Sequence, residues 1–177
     1  MAAVEEIINI ALDLKPDLVT IVPEKRMELT TEGGLDVVSN LEKLRKLCDR
    51  MHSKDIEVSF FVEPTEEQIE ASFKAEADMV EIHTGTYSNL KNKKDIENEL
   101  NRIQSAVEFA ANSGLRVAGG HGLNYQNLKP LCLFPQFEEF SIGHSIISRA
   151  LFVGIDRAVW EMIEAITLGI IHRGIED

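Results

Sequence analysis

Two glycine–histidine pairs, each at the end of a short apolar run, are the residues of this chain best suited to chemistry. Gly119-Gly120-His121-Gly122 follows residues 115–118 (LRVA), and Gly143-His144 follows residues 140–142 (FSI). Glycine lets backbone N–H groups approach a ligand, and N–H groups at a strand end or a helix N-terminus suit phosphate. Histidine can give or take a proton near neutral pH. The two junctions therefore predict a site that binds phosphate and transfers protons.

A carboxylate and an imidazole are expected to share one face of another strand. Residues 79–83 (MVEIH) read as a strand, in which Glu81 and His83 would point to the same side. Such groups on an interior face are costly unless they are paired or hydrated, which favours a functional role for Glu81. For His83 a functional role and a supporting hydrogen bond both remain open.

Lys25 and Arg26 could contact phosphate, but a solvated pair on a polar loop is favoured.

The elements that must position these residues alternate between strand and helix. An opening helix is predicted over residues 4–12, and strands start near residues 17, 56, 79, 115 and 139. Helices are predicted between the strands and at the end of the chain. Thr65 and Gln68 have the spacing of a capping box, and residues 87–94 read as a polar loop. The alternation predicts an α/β fold with a parallel sheet, and no linker interrupts a single domain over residues 1–177.

The chemically interesting residues all follow strands, which is where parallel α/β folds bind ligands. The last two strand–helix units carry the phosphate-type loops, as the seventh and eighth units do in many (β/α)8 barrels. The sequence therefore predicts a TIM-barrel fold in which this chain covers about the last five units plus a preceding helix. A full barrel needs about 250 residues, so about three further units are expected in front of Met1.

Composition excludes several classes of protein. The net charge is −12 and no Lys/Arg cluster is present, which argues against nucleic-acid binding. No apolar run approaches the ~20 residues of a membrane span, and the start lacks a basic signal-peptide region. Cys48 and Cys132 lack a CxxC partner and are expected to be buried, reduced thiols, consistent with a cytoplasmic protein. His52, His172 and the acidic cluster at residues 66–70 are expected on the surface.

Five blocks of this sequence resemble the pyridoxine 5′-phosphate synthase family over essentially the whole chain. They are residues 22–26 (VPEKR), 29–36 (LTTEGGLD), 81–85 (EIHTG), 120–123 (GHGL) and 142–144 (IGH). The resemblance implies a (β/α)8 barrel that condenses 1-deoxy-D-xylulose 5-phosphate with 3-amino-2-oxopropyl phosphate. The products would be pyridoxine 5′-phosphate, phosphate and water. It also implies a transferase without metal or organic cofactor, assembled as a homo-oligomer, since the family forms octamers.

The resemblance also implies a role for each matching residue. His121 would be a general acid, and Glu81 would stabilise charge in the transition state. Gly122, Gly143 and His144 would hold the phosphate of the aminoketone. Thr30 would contact the deoxyxylulose phosphate from a loop that closes over the site.

This chain departs from the family pattern at its beginning. The family's N-x-D-H motif, its H-L-R-x-D-R-R-H-like stretch and a further catalytic glutamate have no match here, so we expect weak activity or none from this chain alone. Two alternatives stay open. One is another phosphate-binding barrel, although an aldolase would need a lysine at a strand end and only Lys25 is near one. The other is a non-catalytic phosphate-binding fragment or assembly subunit.

Overall fold

This computed structural model describes residues 1–23 and 33–176, with side chains as far as His172. The strands are β1 (Leu18–Ile21), β2 (Glu57–Val62), β3 (Met79–His83), β4 (Arg116–Gly120) and β5 (Phe137–Ser141). The helices are α1 (Glu5–Leu14), α2 (Leu41–His52), α3 (Glu66–Lys74), α4 (Gly85–Asn89), α5 (Lys93–Asn112), α6 (His144–Val153) and α7 (Ile155–Glu176). Short 3₁₀ turns occupy Val38–Asn40 and Leu131–Leu133.

The five strands form one parallel sheet in the order β1-β2-β3-β4-β5. Each strand therefore pairs with the next strand in sequence. Parallel neighbours joined by crossovers of one hand carry their helices on the same face of the sheet. The predicted α/β fold with a parallel sheet is confirmed.

Successive side chains along each strand point to opposite faces of the sheet, and the two faces differ in character. Val58, Phe60 and Val62 of β2 point into the apolar core shared with residues of α2, α3 and α5. The opposite face, which we call the site face, carries Phe61, Glu81, His83, Gly120 and Ser141 at the carboxyl ends of β2 to β5. The strand register places Glu81 beside Phe61 on one side and Ala118 on the other. It likewise aligns His83, Gly120 and Ser141 in a single row.

The structure corrects several predicted boundaries. β4 continues to Gly120, so Gly119 and Gly120 are strand residues rather than loop residues. β5 begins at Phe137, which pairs with Val117, and an irregularity between Val117 and Ala118 then shifts the register of the β4–β5 pair. Helix α4 occupies residues 85–89, partly inside the predicted polar loop over residues 87–94. This single turn of helix forms because the buried Tyr87 anchors it, its hydroxyl donating to the Asn127 carbonyl oxygen at 2.6 Å.

Half of the predicted capping box is present. Thr65 caps α3 by accepting a hydrogen bond from the Gln68 N–H at 3.4 Å. The Gln68 side chain does not return this bond. Its Oε1 instead accepts from the N–H groups of Val37 and Val38, at 2.7 and 3.3 Å, and so joins α3 to the 3₁₀ turn that precedes α2.

Other predictions concern burial and surface. Cys48 and Cys132 are buried and form no disulfide, as predicted, and burial raises the pKa of the Cys48 thiol to about 12. His172 is exposed, as predicted, whereas His52 is at the surface but partly covered, and its Nε2 lies 2.8 Å from Asp78 Oδ2. The end of α2 is packed beside the start of β3, which brings this pair together. Among the described helices, none is both long and apolar enough to cross a membrane.

Candidate active site at the carboxyl ends of β4 and β5

A cavity of about 600 Å³ lies where the chain leaves β4 and β5. It is lined by His121, Gly122, Leu123, Asn124, Ser141, Ile142, Gly143, His144 and Ser145. The two glycine–histidine junctions, Gly120-His121 and Gly143-His144, are 23 residues apart in sequence, and the parallel pairing of β4 with β5 brings them together. Four of the six predicted site residues therefore share one cavity: His121, Gly122, Gly143 and His144.

The N-terminus of α6 forms one wall of this cavity. Gly143 is its N-cap and His144 its first residue. A Cβ added to Gly143 would meet no atom within 4 Å, so the space in front of this N-cap is open. The first N–H groups of a helix have no acceptor within the helix, and the helix dipole favours an anion there. The wall suits phosphate.

The backbone of the other wall is held in a strained conformation. His121 has φ +79° and Gly122 has φ +76°, a region that residues with a side chain rarely adopt. The buried Thr84 hydroxyl donates to the carbonyl oxygens of Gly120 and His121, each 2.7 Å away, and the Asn127 amide donates to the Gly122 carbonyl oxygen at 3.0 Å. Strain kept in place by such contacts is characteristic of functional sites.

The two walls are also bonded to each other. The Ser145 hydroxyl, in the first turn of α6, donates to the Leu123 carbonyl oxygen at 2.9 Å. On the other side of the loop, a Cβ at Gly122 would lie 2.1 Å from Ser88 Oγ of α4. The loop after β4 is therefore confined between α4 and α6, which fixes His121 relative to the helix N-terminus.

Glu81 reaches toward the cavity across Gly120. A Cβ at Gly120 would lie 2.0 Å from Glu81 Oε1 and 3.1 Å from Ser141 Cβ, so the missing side chain makes room for the carboxylate. Burial raises the pKa of Glu81, and the nearby Glu139 charge adds to the rise, while a hydrogen bond with Ser141 opposes it. The carboxyl group is thus placed next to Ser141, which lines the cavity, and binds a proton more readily than an ordinary glutamate.

Some predicted site residues fall outside the part of the chain that the structure describes, and one site residue, Ser141, was not predicted. Thr30, Lys25 and Arg26 lie outside the described residues. Ser141 was missed because its place beside Glu81 depends on the irregular β4–β5 register, which the sequence does not reveal. No group of three or more His, Cys, Asp or Glu side chains that could hold a metal ion occurs within residues 1–23 and 33–172.

Comparison with known proteins identifies the family. The sequence profile described as "Pyridoxal phosphate biosynthesis protein PdxJ" matches residues 1–168. Pyridoxine 5′-phosphate synthase of Crocosphaera subtropica is 51% identical over 162 residues, which are 92% of this chain and 68% of that protein. The enzyme of Pelobacter propionicus is 49% identical over 166 residues, 94% of this chain and 70% of that protein.

The chain belongs to the pyridoxine 5′-phosphate synthase family. The predicted family and its enzymatic function in vitamin B6 biosynthesis are confirmed. A crystal structure titled as the Amycolatopsis orientalis BexX/CysO complex is similar in fold, with a TM-score of 0.65 at 14% identity. The match covers 96% of this chain and 62% of that chain, and at this identity it bears on the fold alone.

Proposed function

We propose that this chain takes part in the condensation of 1-deoxy-D-xylulose 5-phosphate with 3-amino-2-oxopropyl phosphate to pyridoxine 5′-phosphate. The observation that carries the proposal is the single cavity that joins His121 to the N-terminus of α6. Its volume is within the usual range for small-molecule sites. One wall suits the phosphate of a substrate and the other presents a proton donor, which is what a phosphorylated aminoketone undergoing dehydration requires.

Each site residue has a role in this proposal. Gly122, Gly143 and His144 bind the phosphate of the aminoketone through the loop and the helix N-terminus. His121 donates protons to the oxygen atoms that leave as water. Glu81, half-buried beside Ser141, stabilises charge that develops as the amine adds to the ketone. Thr30 contacts the deoxyxylulose phosphate.

The surrounding architecture proposed is a (β/α)8 barrel with the site at the carboxyl ends of its strands. The barrel proposal is supported by the sequential order of the five parallel strands and by the membership of this chain in the family. We also propose a cytoplasmic transferase that forms homo-oligomers. The homo-oligomer part of this proposal is supported by the exposed apolar side chains on α6 and α7, including Leu151, Phe152 and Trp160.

Turnover of the two substrates tests this function. Because the family's N-terminal motifs have no match in this chain, we expect a weak rate, which is measured at high concentrations of the chain and of both substrates. Pyridoxine 5′-phosphate is quantified by its absorbance after separation, with the His121→Ala variant in parallel. Removing a general acid typically costs 10²–10⁴-fold, so we expect His121→Ala to lower the rate by about that factor. His172→Ala, which removes an exposed histidine of α7, is the matched control and should leave the rate unchanged. Equal rates for His121→Ala and the unsubstituted chain would refute the assignment of His121.

A further inference from the structure

His83 is a buried histidine that the proposed reaction does not yet use. It is the last residue of β3, and only 3% of it is exposed. Its ring packs edge-to-face between Phe61 and His121, with ring centroids 4.9 and 5.0 Å away. A buried imidazole in contact with the proposed proton donor calls for a physical explanation.

Glu63 holds one side of the His83 ring. Its Oε1 lies 2.6 Å from His83 Nδ1 and also accepts the Gly34 N–H at 3.1 Å, while Oε2 lies 3.6 Å from Arg102 Nη2. Burial acts to raise the pKa of Glu63, but the hydrogen bond from His83 and the other contacts outweigh it and leave the pKa lowered. An ionised carboxylate only accepts hydrogen bonds, so His83 carries a proton on Nδ1.

The other nitrogen of His83 is buried and has no hydrogen-bond partner among the described residues. In the neutral ring with Nδ1 protonated, Nε2 bears a lone pair. A Cβ added to Gly85 would lie 2.4 Å from this Nε2 and 2.9 Å from Cδ2 of His121. The two imidazole rings therefore border the same small space, which exists because residue 85 has no side chain.

We infer that Glu63 and His83 are positioning residues for His121. Glu63 fixes the tautomer of His83, and the Nε2 side of His83 then sets the orientation of the His121 ring toward the cavity that His121 lines. The inference rests on the proposed function, because it assigns the pair to the donor of that reaction. The unpartnered buried nitrogen of His83 supports the inference, because native proteins rarely tolerate such a group without a functional reason.

Histidine-labelled ¹⁵N NMR of the full chain tests the pair without any need for turnover. We expect His83 to show a protonated Nδ1 and an unprotonated Nε2. Glu63→Ala should abolish this signature and shift the ring signals of His121. Gly85→Ala should shift both rings, since the added methyl group occupies the space between them. Thr86→Ala, on the exposed side of the same helix, is the matched control and should shift neither ring.

Two results would overturn the inference: a His83 proton on Nε2, or His121 ring signals that Gly85→Ala leaves in place. Gly85→Ala decides the matter if Glu63→Ala fails to fold, since it leaves the Glu63–His83 bond intact.

Turnover supplies a second readout of the pair. A misplacement of about 1 Å can cost about 100-fold in rate, so Glu63→Ala and Gly85→Ala should lower kcat by about that factor with KM largely unchanged. Glu63→Gln keeps an oxygen for His83 Nδ1–H and should recover most of kcat. Loss without recovery in Glu63→Gln would contradict the positioning role. A measurable rate that is equal in the unsubstituted chain and in His121→Ala, alongside the expected NMR signature, would instead refute the role of His121 in the proposed function and leave the effect of the pair on the His121 ring standing.

Discussion

The pKa values of two half-buried carboxyl groups at this site are shifted in opposite directions, and this difference is testable. The pKa of Glu81 is raised, chiefly by burial, whereas the pKa of Glu63 is lowered by its hydrogen bonds and neighbouring charges despite burial. A raised pKa means that the folded state holds the proton more tightly, so ionised Glu81 reduces stability once the pH exceeds the unfolded value. A lowered pKa means that ionised Glu63 adds stability above the unfolded value, and this gain is lost as the pH falls.

We therefore expect the variants Glu81→Gln and Glu63→Gln to diverge with pH. At pH 8, Glu81→Gln should raise the free energy of unfolding and Glu63→Gln should lower it. As the pH falls, the effect of Glu81→Gln should disappear first, and the effect of Glu63→Gln should shrink later, because its lowered pKa keeps Glu63 ionised to more acidic pH. Urea unfolding at a series of pH values measures this. The same sign of change for both variants at pH 8 would show that the two carboxyls do not differ as described.

His121 itself is expected to trade stability for function. Its φ of +79° costs a residue with a Cβ about 1–2 kcal/mol, a cost that glycine avoids. We expect His121→Gly to be more stable than His121→Ala by about 1 kcal/mol, after allowance for the greater chain entropy of glycine. Both variants should lack turnover. Thermal unfolding compares them, and an alanine variant as stable as the glycine variant would mean that the loop relaxes when the histidine is removed.

At the scale of the element, glycines that look alike in sequence serve different purposes. Gly120 is a strand residue whose missing side chain accommodates the Glu81 carboxylate, whereas Gly143 opens onto empty space at the N-terminus of α6. We expect Gly120→Ala to lower the free energy of unfolding by about 1–3 kcal/mol through overpacking. Gly143→Ala, with an ordinary negative φ, should change it by less than about 0.5 kcal/mol. Denaturant unfolding of the two variants provides the comparison, and equal losses would contradict it.

The same glycines show how far the sequence could predict the site. Short apolar runs followed by glycine located β4 and β5, and strand parity placed Glu81 and His83 on one face. The C-terminal end of β4 was missed because Gly119 and Gly120 resemble loop residues. Only the fold shows that Gly120 belongs to the strand and leaves the space that the Glu81 carboxylate occupies. The Glu63–His83 bond was also beyond prediction, since it joins two strands through a register that sequence alone does not determine.

At the scale of the whole molecule, the apolar side chains of α6 and α7 stand out. Leu151, Phe152 and Trp160 are 83, 85 and 70% exposed, and large exposed apolar areas mark association surfaces. We expect the chain to self-associate through this surface. Burying one such side chain contributes about 1.5–3 kcal/mol, so the double change Leu151→Ser with Phe152→Ser should weaken association at least tenfold.

Sedimentation velocity across a concentration series measures that association. Leu14→Ser is the matched control, since Leu14 is 76% exposed on α1, outside the α6–α7 surface. Equal sedimentation of the double variant and the unsubstituted chain would show that association, if present, uses another surface.

The central claim is that the loops after β4 and β5 form one phosphate site, and a phosphate titration followed by amide NMR tests it most directly. Backbone donors need only their local loops in place, so we expect binding with a dissociation constant on the order of 1 mM. The largest shifts should fall on Gly122, Gly143 and His144. Gly143→Val should abolish binding while the chain remains folded, and His121→Ala should retain it. Shifts confined to residues outside these two loops, or unchanged affinity in Gly143→Val, would contradict the account.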